Sequence, residues 1–340
     1  MEYIRFGNTG IKVSQLCLGM LTFGNPAWRP WILDEEQSRP IVKYAVDNGI
    51  NYFDTGDTYS GGYSEIVTGK FIKEMFPGRR DEVVVSTKVY EAVDVNYKQD
   101  HESFYKGTPN KEGLSRKRIF HAIDNSLQRL GMDYVDIYQM HYWDYNTPIE
   151  ETMEALHDVV KAGKARYIGA SNTYAWQLAK AQQVAKEHNW TQFVSMQSHY
   201  NLVYREEERE VIPLCIDQKI AVLPWSPLAR GFLAGNRVKK GEGETIRSKT
   251  DNQAWRFYYR DSDFAVVDKV TKLADEKGVS NAAIAYAWLM NKPGVVTPLI
   301  GVSKLNQLDQ AFESLGVKLT PEEMLYLEEG YEPHPILGHV

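Results

Sequence analysis

Four ionisable side chains stand at or just beyond the ends of short apolar segments. Asp54 ends the alternating segment I-N-Y-F-D, and Tyr59 follows it in a glycine-rich loop. Lys88 ends V-V-V-S-T-K, and His141 ends V-D-I-Y-Q-M-H. Each alone has an ordinary structural explanation, such as a strand cap, a surface residue or a hydrogen-bonded core histidine. Because they all follow strand ends, we expect them to converge at one edge of a parallel sheet.

Together these groups suit proton transfer by Tyr59. A free tyrosine has a pKa near ~10, and moving it two to three units towards neutrality requires about 3–4 kcal/mol of preferential phenolate stabilisation. A charged Lys88 would supply that stabilisation, and Asp54 would keep Lys88 charged and oriented. His141 would hydrogen-bond the phenol or a substrate oxygen. The chemistry that needs this set is proton delivery to a carbonyl oxygen during hydride transfer.

The elements that must position these residues alternate between strands and helices. About eight apolar segments from residue 15 onwards have strand character, and segments with helical periodicity lie between them. The alternation predicts an α/β protein, a parallel (β/α)₈ TIM barrel with long loops at the carboxyl ends of its strands. A β-hairpin over residues 3–13 would close the other end. The alternative is a doubly wound open sheet, which lacks the G-x-G-x-x-G needed to hold a dinucleotide.

Local signals predict where several elements begin. Asp34 and Gln37 resemble a capping box, but Pro40 prefers a first turn, so the first helix is predicted to begin near residue 38. Residues 147–150 predict a helix start with a capping Thr147 and Pro148 in first position. The run R-E-E-E-R-E at 205–210 predicts a solvated helix face.

Two long segments lack a clear period. Residues 91–113 are polar and predict a loop. Residues 226–263, and 236–263 in particular, are too long for an ordinary connection and predict a lid. Neither segment resembles a linker, so residues 1–340 are predicted to form one domain.

Composition excludes some classes of function. Of 340 residues, 43% are hydrophobic and 25% are charged, and the net charge of -6 argues against nucleic acid or an anionic membrane as a partner. No apolar run approaches a membrane span and the start M-E-Y-I-R-F-G lacks a signal pattern, so we predict a cytoplasmic protein. Cys17 and Cys215 have no metal-site spacing, which predicts buried reduced thiols and no bound metal.

Several motifs resemble those of the aldo-keto reductase superfamily. They are F-D-T followed by Tyr59, S-T-K at a strand end, Y-V-D-I-Y-Q-M-H and Y-I-G-A-S-N. The resemblance extends from G-N-T-G-I-K-V-S near the start to I-G-V-S-K-L-N-Q-L near the end. The segments T-P-I-E-E-T, Y-R-E-E-E-R-E and P-W-S-P-L-A-R-G are most similar to bacterial members linked to 1-deoxyxylulose 5-phosphate formation.

The resemblance implies an NADPH-dependent oxidoreductase that reduces aldehydes or ketones reversibly to alcohols. Tyr59 would be the general acid, and Lys88 with Asp54 would set its pKa. His141 would orient the substrate oxygen. NADPH would lie extended across the barrel mouth, with NADH left open as a second cofactor. The implied cofactor-binding residues are Gly19, Met20, Asp54, Ser171, Asn172, Gln197, Trp225, Ser226, Pro227, Leu228, Arg230, Gly231, Arg247, Gly301, Ser303, Lys304, Gln307 and Gln310.

The resemblance also implies which part of the cofactor each group binds. Ser171, Asn172 and Gln197 would bind the carboxamide, and Trp225 would stack on the nicotinamide. The segment S-P-L-A-R-G would surround the pyrophosphate, and the helix N-terminus after residue 303 would take the 2′-phosphate. The family often has Glu-Asn where this chain has Gln310 and Ala311, which implies weaker cofactor affinity or a weaker preference for NADPH.

The substrate is predicted only as a small carbonyl or alcohol. Trp28, Trp31, Tyr90 and Trp143 would either form a pocket for aromatic or bulky carbonyls or pack the loops together. Two alternatives to a reductase stay open: a cofactor-binding regulatory subunit of a partner protein, and a sugar-phosphate isomerase or lyase on the same barrel. Homo-oligomerisation is also open.

Overall fold

A parallel sheet of eight strands forms the centre of the protein in a computed structural model, which describes residues 1–93, 109–235 and 246–339. A two-stranded antiparallel hairpin precedes it. The hairpin strands are β1 (Tyr3–Arg5) and β2 (Lys12–Ser14), and the sheet consists of β3 (Cys17–Gly19), β4 (Tyr52–Asp54), β5 (Val84–Val89), β6 (Val135–Met140), β7 (Ala165–Ser171), β8 (Phe193–His199), β9 (Ala221–Trp225) and β10 (Leu299–Ile300).

The sheet strands lie side by side in chain order, and β10 pairs in parallel with β3. The sheet is therefore a nearly closed barrel, and the predicted (β/α)₈ fold with an N-terminal hairpin is confirmed. Between β9 and β10, an isolated bridge joins Val222 to Val295. That residues 1–340 form one domain stays a prediction.

Helices follow the strands and cover the outside of the barrel. They are α1 (Glu35–Asp47), α2 (Tyr63–Met75), α3 (Arg116–Leu130), α4 (Ile149–Lys161), α5 (Ala175–Glu187), α6 (Val211–Asp217), α7 (Ile246–Thr250), α8 (Asn252–Phe257), α9 (Asp261–Lys277), α10 (Asn281–Met290), α11 (Leu305–Glu313) and α12 (Pro321–Glu328).

Strand side chains alternate between the barrel interior and the helix layer. In β4, Tyr52 packs in the inner apolar cluster and Phe53 in the outer one. Asp54 then returns to the inner side, because side chains two apart share a face. The neighbouring strands repeat this order, with Val84 before Ser86 in β5 and Ile137 before Gln139 in β6. The interior is thus apolar at the amino ends of the strands and polar at their carboxyl ends.

The hairpin packs directly against the amino ends of the barrel strands. Phe6 is fully buried and meets the Tyr52 ring edge-on, with 5.8 Å between centroids. Gly7 has φ +54°, and a Cβ there would lie 2.8 Å from the carbonyl oxygen of Lys219. Only glycine fits this close approach. The carboxyl ends of the strands therefore remain as the face for a ligand.

The predicted start of α1 is wrong by one turn. The Asp34 carboxylate accepts a hydrogen bond from the Gln37 amide (2.9 Å), and the Gln37 side chain accepts one from the Asp34 amide (3.2 Å). The helix begins at Glu35 and runs through Pro40. The capping box, rather than the proline, therefore marks the start of this helix.

The predicted cap of α4 is also wrong. Pro148 takes the cap position, and the helix begins one residue later at Ile149. The Thr147 hydroxyl instead donates to the Asp144 carboxylate (2.7 Å), which also accepts from the amide of Leu114 (2.8 Å). The Thr147 side chain that the local pattern assigned to the helix instead bonds Asp144, three residues earlier, and Asp144 is itself tied to a distant loop.

The acidic run at 205–210 is not a solvated helix face. It forms a single 3₁₀ turn, Glu206–Glu208, and Glu206 and Glu207 are buried. Glu206 accepts a hydrogen bond from the His334 amide (2.9 Å), and Glu207 lies 3.1 Å from the His339 imidazole. The prediction is wrong because these carboxylates are buried in contacts with the C-terminal tail of the chain.

The predicted lid and loop are described only in part. Residues 226–263 contain a 3₁₀ segment, Ala229–Ala234, followed by α7 and α8, while 236–245 lie outside the described residues. The lid role stays a prediction. Most of the predicted loop at 91–113 also lies outside the described residues, which exclude 94–108.

Both cysteines are buried free thiols, as predicted. In the described part of the chain, none of the helices combines the length and apolarity that crossing a bilayer requires. The same residues include no group of three or more histidine, cysteine or acidic side chains arranged to hold a metal ion.

Candidate active site

An ion pair between Asp54 and Lys88 lies at the carboxyl ends of two adjacent strands. Both side chains are buried, and the Lys88 ammonium also donates to the carbonyl oxygen of Thr55 (2.7 Å). Burial of two charges is tolerated only when their remaining hydrogen-bonding groups are satisfied. The second Asp54 oxygen accepts three hydrogen bonds, from Ser86 (2.6 Å), Gln139 (2.8 Å) and Gln197 (3.1 Å).

Tyr59 and His141 lie next to this pair. The Lys88 ammonium is 4.7 Å from the centroid of the Tyr59 ring, and the His141 ring meets Tyr59 edge-on at 5.9 Å. His141 also stacks on Tyr142, with centroids 4.6 Å apart. The structure therefore brings together the four ionisable residues that the sequence singled out.

Burial is the largest single influence on the pKa of each of Tyr59, Lys88 and His141, although for Lys88 other influences together exceed it. Burial raises the pKa of Tyr59 above its ordinary value, although the Lys88 charge opposes the rise. Burial would lower the pKa of Lys88, but the charge of Asp54, joined by Tyr59 and by hydrogen bonds to both residues, outweighs it and the net direction is up. Burial, helped by Lys88, holds the pKa of His141 well below its usual range. The prediction of a lowered Tyr59 pKa is thus wrong in net direction.

These shifts define one protonation state at neutral pH. Tyr59 is a protonated phenol, Lys88 is charged and His141 is neutral. The Nδ1 atom of His141 is buried and has no hydrogen-bond partner among the described residues. A protonated phenol is the form that can act as an acid.

A second buried ion pair supports the loop that carries Tyr59. Arg118, in the first turn of α3, donates to the Asp57 carboxylate (2.8 Å) and to the carbonyl oxygen of Glu91 (2.9 Å). The Asp57 amide also donates to the carbonyl oxygen of Lys88 (3.3 Å). Asp57 and Arg118 thus join the loops after β4 and β5. Sequence reasoning missed them, although an aspartate three residues after Asp54 was a signal.

A cavity of about 620 Å³ opens over these groups at the carboxyl ends of the strands. Most of the sequence-predicted cofactor residues line it: Gly19, Asp54, Asn172, Gln197, Trp225, Ser226, Pro227, Leu228, Arg230, Gly231, Arg247, Gly301, Ser303, Lys304, Gln307 and Gln310. Met20 and Ser171 are buried outside its lining. The Ser171 hydroxyl instead donates to the carbonyl oxygen of Gln197 (3.0 Å).

Asn172, Gln197 and Trp225 form the polar wall of the cavity near Tyr59. The Asn172 amide nitrogen donates to the carbonyl oxygen of His141 (3.2 Å), and its oxygen accepts from the Trp225 indole (2.9 Å). Asn172 has φ +50°, a conformation that asparagine tolerates better than most residues. These contacts fix the plane of its amide.

Positive charge collects at the other end of the cavity. Arg230 and Arg247 both donate from Nε to one oxygen of Asp251, at 2.6 and 3.0 Å. The buried Nη2 of Arg230 has no hydrogen-bond partner among the residues described. Burial and the neighbouring Arg230 charge lower the pKa of Arg29 from its ordinary value. Three guanidinium groups set against two carboxylates, Asp251 and Glu91, leave an excess of positive charge that fits an anionic ligand.

The start of α11 forms the wall beside these arginines. The Gln307 side chain accepts hydrogen bonds from the amides of Ser303 (2.7 Å) and Lys304 (3.2 Å). These are the amides that a phosphate would use at a helix N-terminus. Gln310 lines the cavity, whereas Ala311 is buried in the core.

The aromatic residues divide between the cavity and the loop packing. Trp28 and Trp31 line the cavity, and Tyr142 and Phe257 line it with them. Trp143 is buried against Trp176, with centroids 5.9 Å apart, outside the lining. Tyr90 packs on Tyr142 at 5.5 Å. Some of the aromatic residues therefore form a pocket wall, and others pack the loops together.

Comparison with known proteins identifies the family. A family model described as the aldo/keto reductase family matches residues 15–332. The chain belongs to the aldo/keto reductase family. This aldo/keto reductase is 43% identical to versiconal hemiacetal acetate reductase from Aspergillus parasiticus, over 99% of this chain and 98% of that protein.

Other fungal proteins are similar over comparable lengths. An aldo-keto reductase from Fusarium vanettenii is 41% identical, over the whole of this chain and 93% of its own length. A Schizosaccharomyces pombe protein with the provisional name aryl-alcohol dehydrogenase is 41% identical, over 98% of this chain and 97% of its own. As an aldo/keto reductase, the chain is an oxidoreductase that reduces carbonyl groups with a nicotinamide cofactor.

Proposed function

We propose that this aldo/keto reductase uses NADPH to reduce aldehydes, with a preference for aromatic or bulky ones, and that Tyr59 is its proton donor. One observation carries the proposal: a protonated Tyr59 lies over the buried Asp54–Lys88 ion pair and beside a neutral His141. A carbonyl oxygen in the cavity next to Tyr59 would meet an acid and a neutral hydrogen-bonding ring at one point.

Side chains of the protein supply the proton that the carbonyl oxygen needs. The Tyr59 hydroxyl gives its proton to the carbonyl oxygen as that oxygen gains charge, and the Lys88 ammonium stabilises the phenolate left behind. Asp54 holds Lys88 in place and charged. His141, which stays neutral, orients the carbonyl oxygen through a hydrogen bond. When bound, the reduced nicotinamide supplies the hydride for the carbonyl carbon.

The cavity suits a nicotinamide dinucleotide. The unpartnered Nη2 of Arg230 and the excess of guanidinium groups suit a pyrophosphate. Ser303 and Lys304 offer amides and an ammonium for a 2′-phosphate once the Gln307 side chain moves aside. Asn172, Gln197 and Trp225 would hold the nicotinamide end. The preference for NADPH rests on this second phosphate site.

The substrate class rests on the cavity walls and on the relatives. Trp28, Trp31, Tyr142 and Phe257 give the cavity aromatic surfaces on which a flat substrate can stack. One relative is named as an aryl-alcohol dehydrogenase and another as the reductase of versiconal hemiacetal acetate. These names favour aromatic or bulky carbonyl compounds here.

Three expectations from the sequence take no part in this proposal. None of the relatives named above is described by deoxyxylulose phosphate formation, so that subgroup has no support here. The cytoplasmic location and the oligomeric state stay predictions.

Turnover by a pair of variants tests the proposal. Purified protein with NADPH should bleach the nicotinamide absorbance faster with benzaldehyde than with a short aliphatic aldehyde. Tyr59→Phe should lower kcat by about 10²–10⁴-fold, the usual contribution of a general acid, and keep its affinity for NADP⁺. The exposed Tyr145 provides the matched control, Tyr145→Phe, which should keep full activity. Wild-type turnover in Tyr59→Phe would refute the proton-donor role.

A further inference from the structure

A buried histidine, His199, ends β8 directly beside the cavity. In the parallel ladder between β8 and β9 its register partner is Trp225, which lines the cavity. The two residues therefore lie side by side at the carboxyl ends of adjacent strands. His199 itself is fully buried and does not line the cavity.

The imidazole of His199 is the middle ring of a three-ring stack. Its centroid is 4.2 Å from that of Trp225, with 12° between the planes, and 4.1 Å from that of Tyr204, with 11° between the planes. Pairs of aromatic side chains more often meet offset or edge-on at longer distances. A nearly parallel stack of three rings leaves the middle one little freedom to tilt.

Hydrogen bonds fix the rotation of the His199 ring within the stack. Its Nε2 lies 2.5 Å from the Tyr258 hydroxyl, and Asn201 donates to that hydroxyl from 3.4 Å. The Asn201 amide nitrogen, which can only donate, also lies 3.5 Å from Nε2, so Nε2 is assigned as the acceptor. Burial, followed by the charge of Arg230, holds the pKa of His199 well below its usual range. The ring is therefore neutral and can stack without bringing a charge under the indole.

The remaining sides of Trp225 are also held. Its indole nitrogen donates to Asn172, and a Cβ on Gly338 would lie 2.9 Å from its Cζ2 atom. Tyr204, at the far end of the stack, accepts a hydrogen bond from the amide of Leu337 (2.9 Å). With one indole face on His199 and its edge on Asn172 and Gly338, the opposite face is the one left to the cavity.

We propose that His199 is a positioning residue, whose neutral ring sets the plane of Trp225 and so prepares the opposite indole face to receive the nicotinamide ring. The inference rests on the proposed function, since it assigns the ligand of that face. The positioning role would also explain why the chain keeps a histidine here at a cost in stability. The His199 Nδ1 atom is buried without a hydrogen-bond partner among the described residues, which an apolar side chain at this position would avoid.

The test compares two histidine–tryptophan stacks in the same protein. His188 stacks on Trp190 with centroids 4.4 Å apart, and neither lines the cavity. The protein is labelled with fluorotryptophan, and Trp225→Phe and Trp190→Phe assign the two fluorine signals. His199→Leu should move the Trp225 signal in the cofactor-free protein, and His188→Leu should move only the Trp190 signal.

Binding of NADP⁺ gives the second readout. His199→Leu should weaken NADP⁺ binding about three- to tenfold, the size of one lost aromatic contact, and His188→Leu should not change it. The KM for aldehyde should stay near its wild-type value. His199→Phe keeps a flat ring and should restore most of the affinity. If His199→Leu does not fold, His199→Asn removes the ring, keeps a polar group for Tyr258 and carries the same expectation.

The proposal is supported only if His199→Leu both moves the Trp225 fluorine signal and weakens NADP⁺ binding. An unmoved Trp225 signal, or wild-type affinity for NADP⁺, would each overturn the positioning role, and so would a wild-type protein that binds no NADP⁺. Failure of the proposed function is a different result. It would show as no aldehyde-dependent NADPH oxidation by wild-type protein, a measurement that neither the fluorine spectra nor the binding titration uses.

Discussion

Tyr59 shows how a partly buried residue in the wall of the cavity is held in its acidic form. The nearby Lys88 charge favours the phenolate, but Asp54 balances that charge and burial disfavours any new one. The net result is a phenol that stays protonated until another positive charge or a substrate changes the balance. An acid of this kind suits the reductive direction, in which the phenol must arrive at the carbonyl with its proton.

The pH dependence of the two reaction directions should differ as a result. A raised pKa keeps Tyr59 protonated through neutral pH, so kcat/KM for aldehyde reduction should stay level from neutral to mildly alkaline pH. Alcohol oxidation needs the phenolate as a base and should accelerate about tenfold per pH unit below that pKa. Because the pKa of His141 lies well below its usual range, His141 should add no break near pH 6.5.

Initial rates in both directions over the same buffers measure this difference. The Tyr59→Phe variant provides the background at each pH. Parallel profiles for reduction and oxidation would contradict the assignment of Tyr59 as the titrating acid.

The sequence could predict which residues meet at the site but not their proton affinities. Asp54, Lys88 and His141 end apolar strands, and the period of two together with a parallel sheet brings such residues to one edge. The direction of a pKa shift depends on how deeply a group is buried. The His199 stack depends on the register between two strands. Neither quantity can be read from local sequence.

At the level of elements, Arg118 joins the first turn of α3 to two active-site loops. Arg118→Leu should lower the free energy of unfolding by up to about 3–5 kcal/mol, because it leaves Asp57, whose pKa burial raises to about 7, without its charged partner. It should also lower kcat, since the loop after β4 carries Tyr59. Urea unfolding and steady-state kinetics measure the two effects.

Two further variants show whether the loss of stability comes from the unpaired Asp57 carboxylate. Lys43 and Asp47 form an exposed pair on α1, and Lys43→Leu should cost no more than about 1 kcal/mol. The double variant with Asp57→Leu and Arg118→Leu removes both buried charges and should recover much of the lost stability. A double variant no more stable than Arg118→Leu would show that packing, not the unpaired carboxylate, causes the loss.

Helix starts show where local sequence information ends. The capping box at Asp34 and Gln37 uses residues three apart and forms as its pattern indicates. The cap expected at Thr147 is lost to Asp144, which is tied to a loop thirty residues away. The sequence predicts that the acidic run at 205–210 is solvent-exposed, because its partners, His334 and His339, lie far away in the sequence.

For the whole molecule, cofactor binding should appear as added stability. NADP⁺ at a hundredfold excess over its Kd should raise the free energy of unfolding by about 2.7 kcal/mol. NAD⁺ at the same concentration should stabilise less, because it lacks the phosphate assigned to Ser303 and Lys304. Thermal unfolding with each nucleotide measures the difference. Lys304→Met should bring the two shifts closer together, and equal shifts in wild-type protein would refute the assigned phosphate site.

We expect the stabilisation by NADP⁺ to act where β9 and β10 meet, because backbone pairing between these two strands is sparse. Val222 of β9 forms an isolated bridge with Val295, which precedes β10, and two residue pairs join β10 to β3. The proposed cofactor residues lie on both sides of the gap between these strands, with residues 226–231 following β9 and residues 301–310 following β10. A dinucleotide held by both loops would complete the barrel where backbone pairing is sparsest, so the molecule that takes part in the reaction would also serve as a structural cross-link.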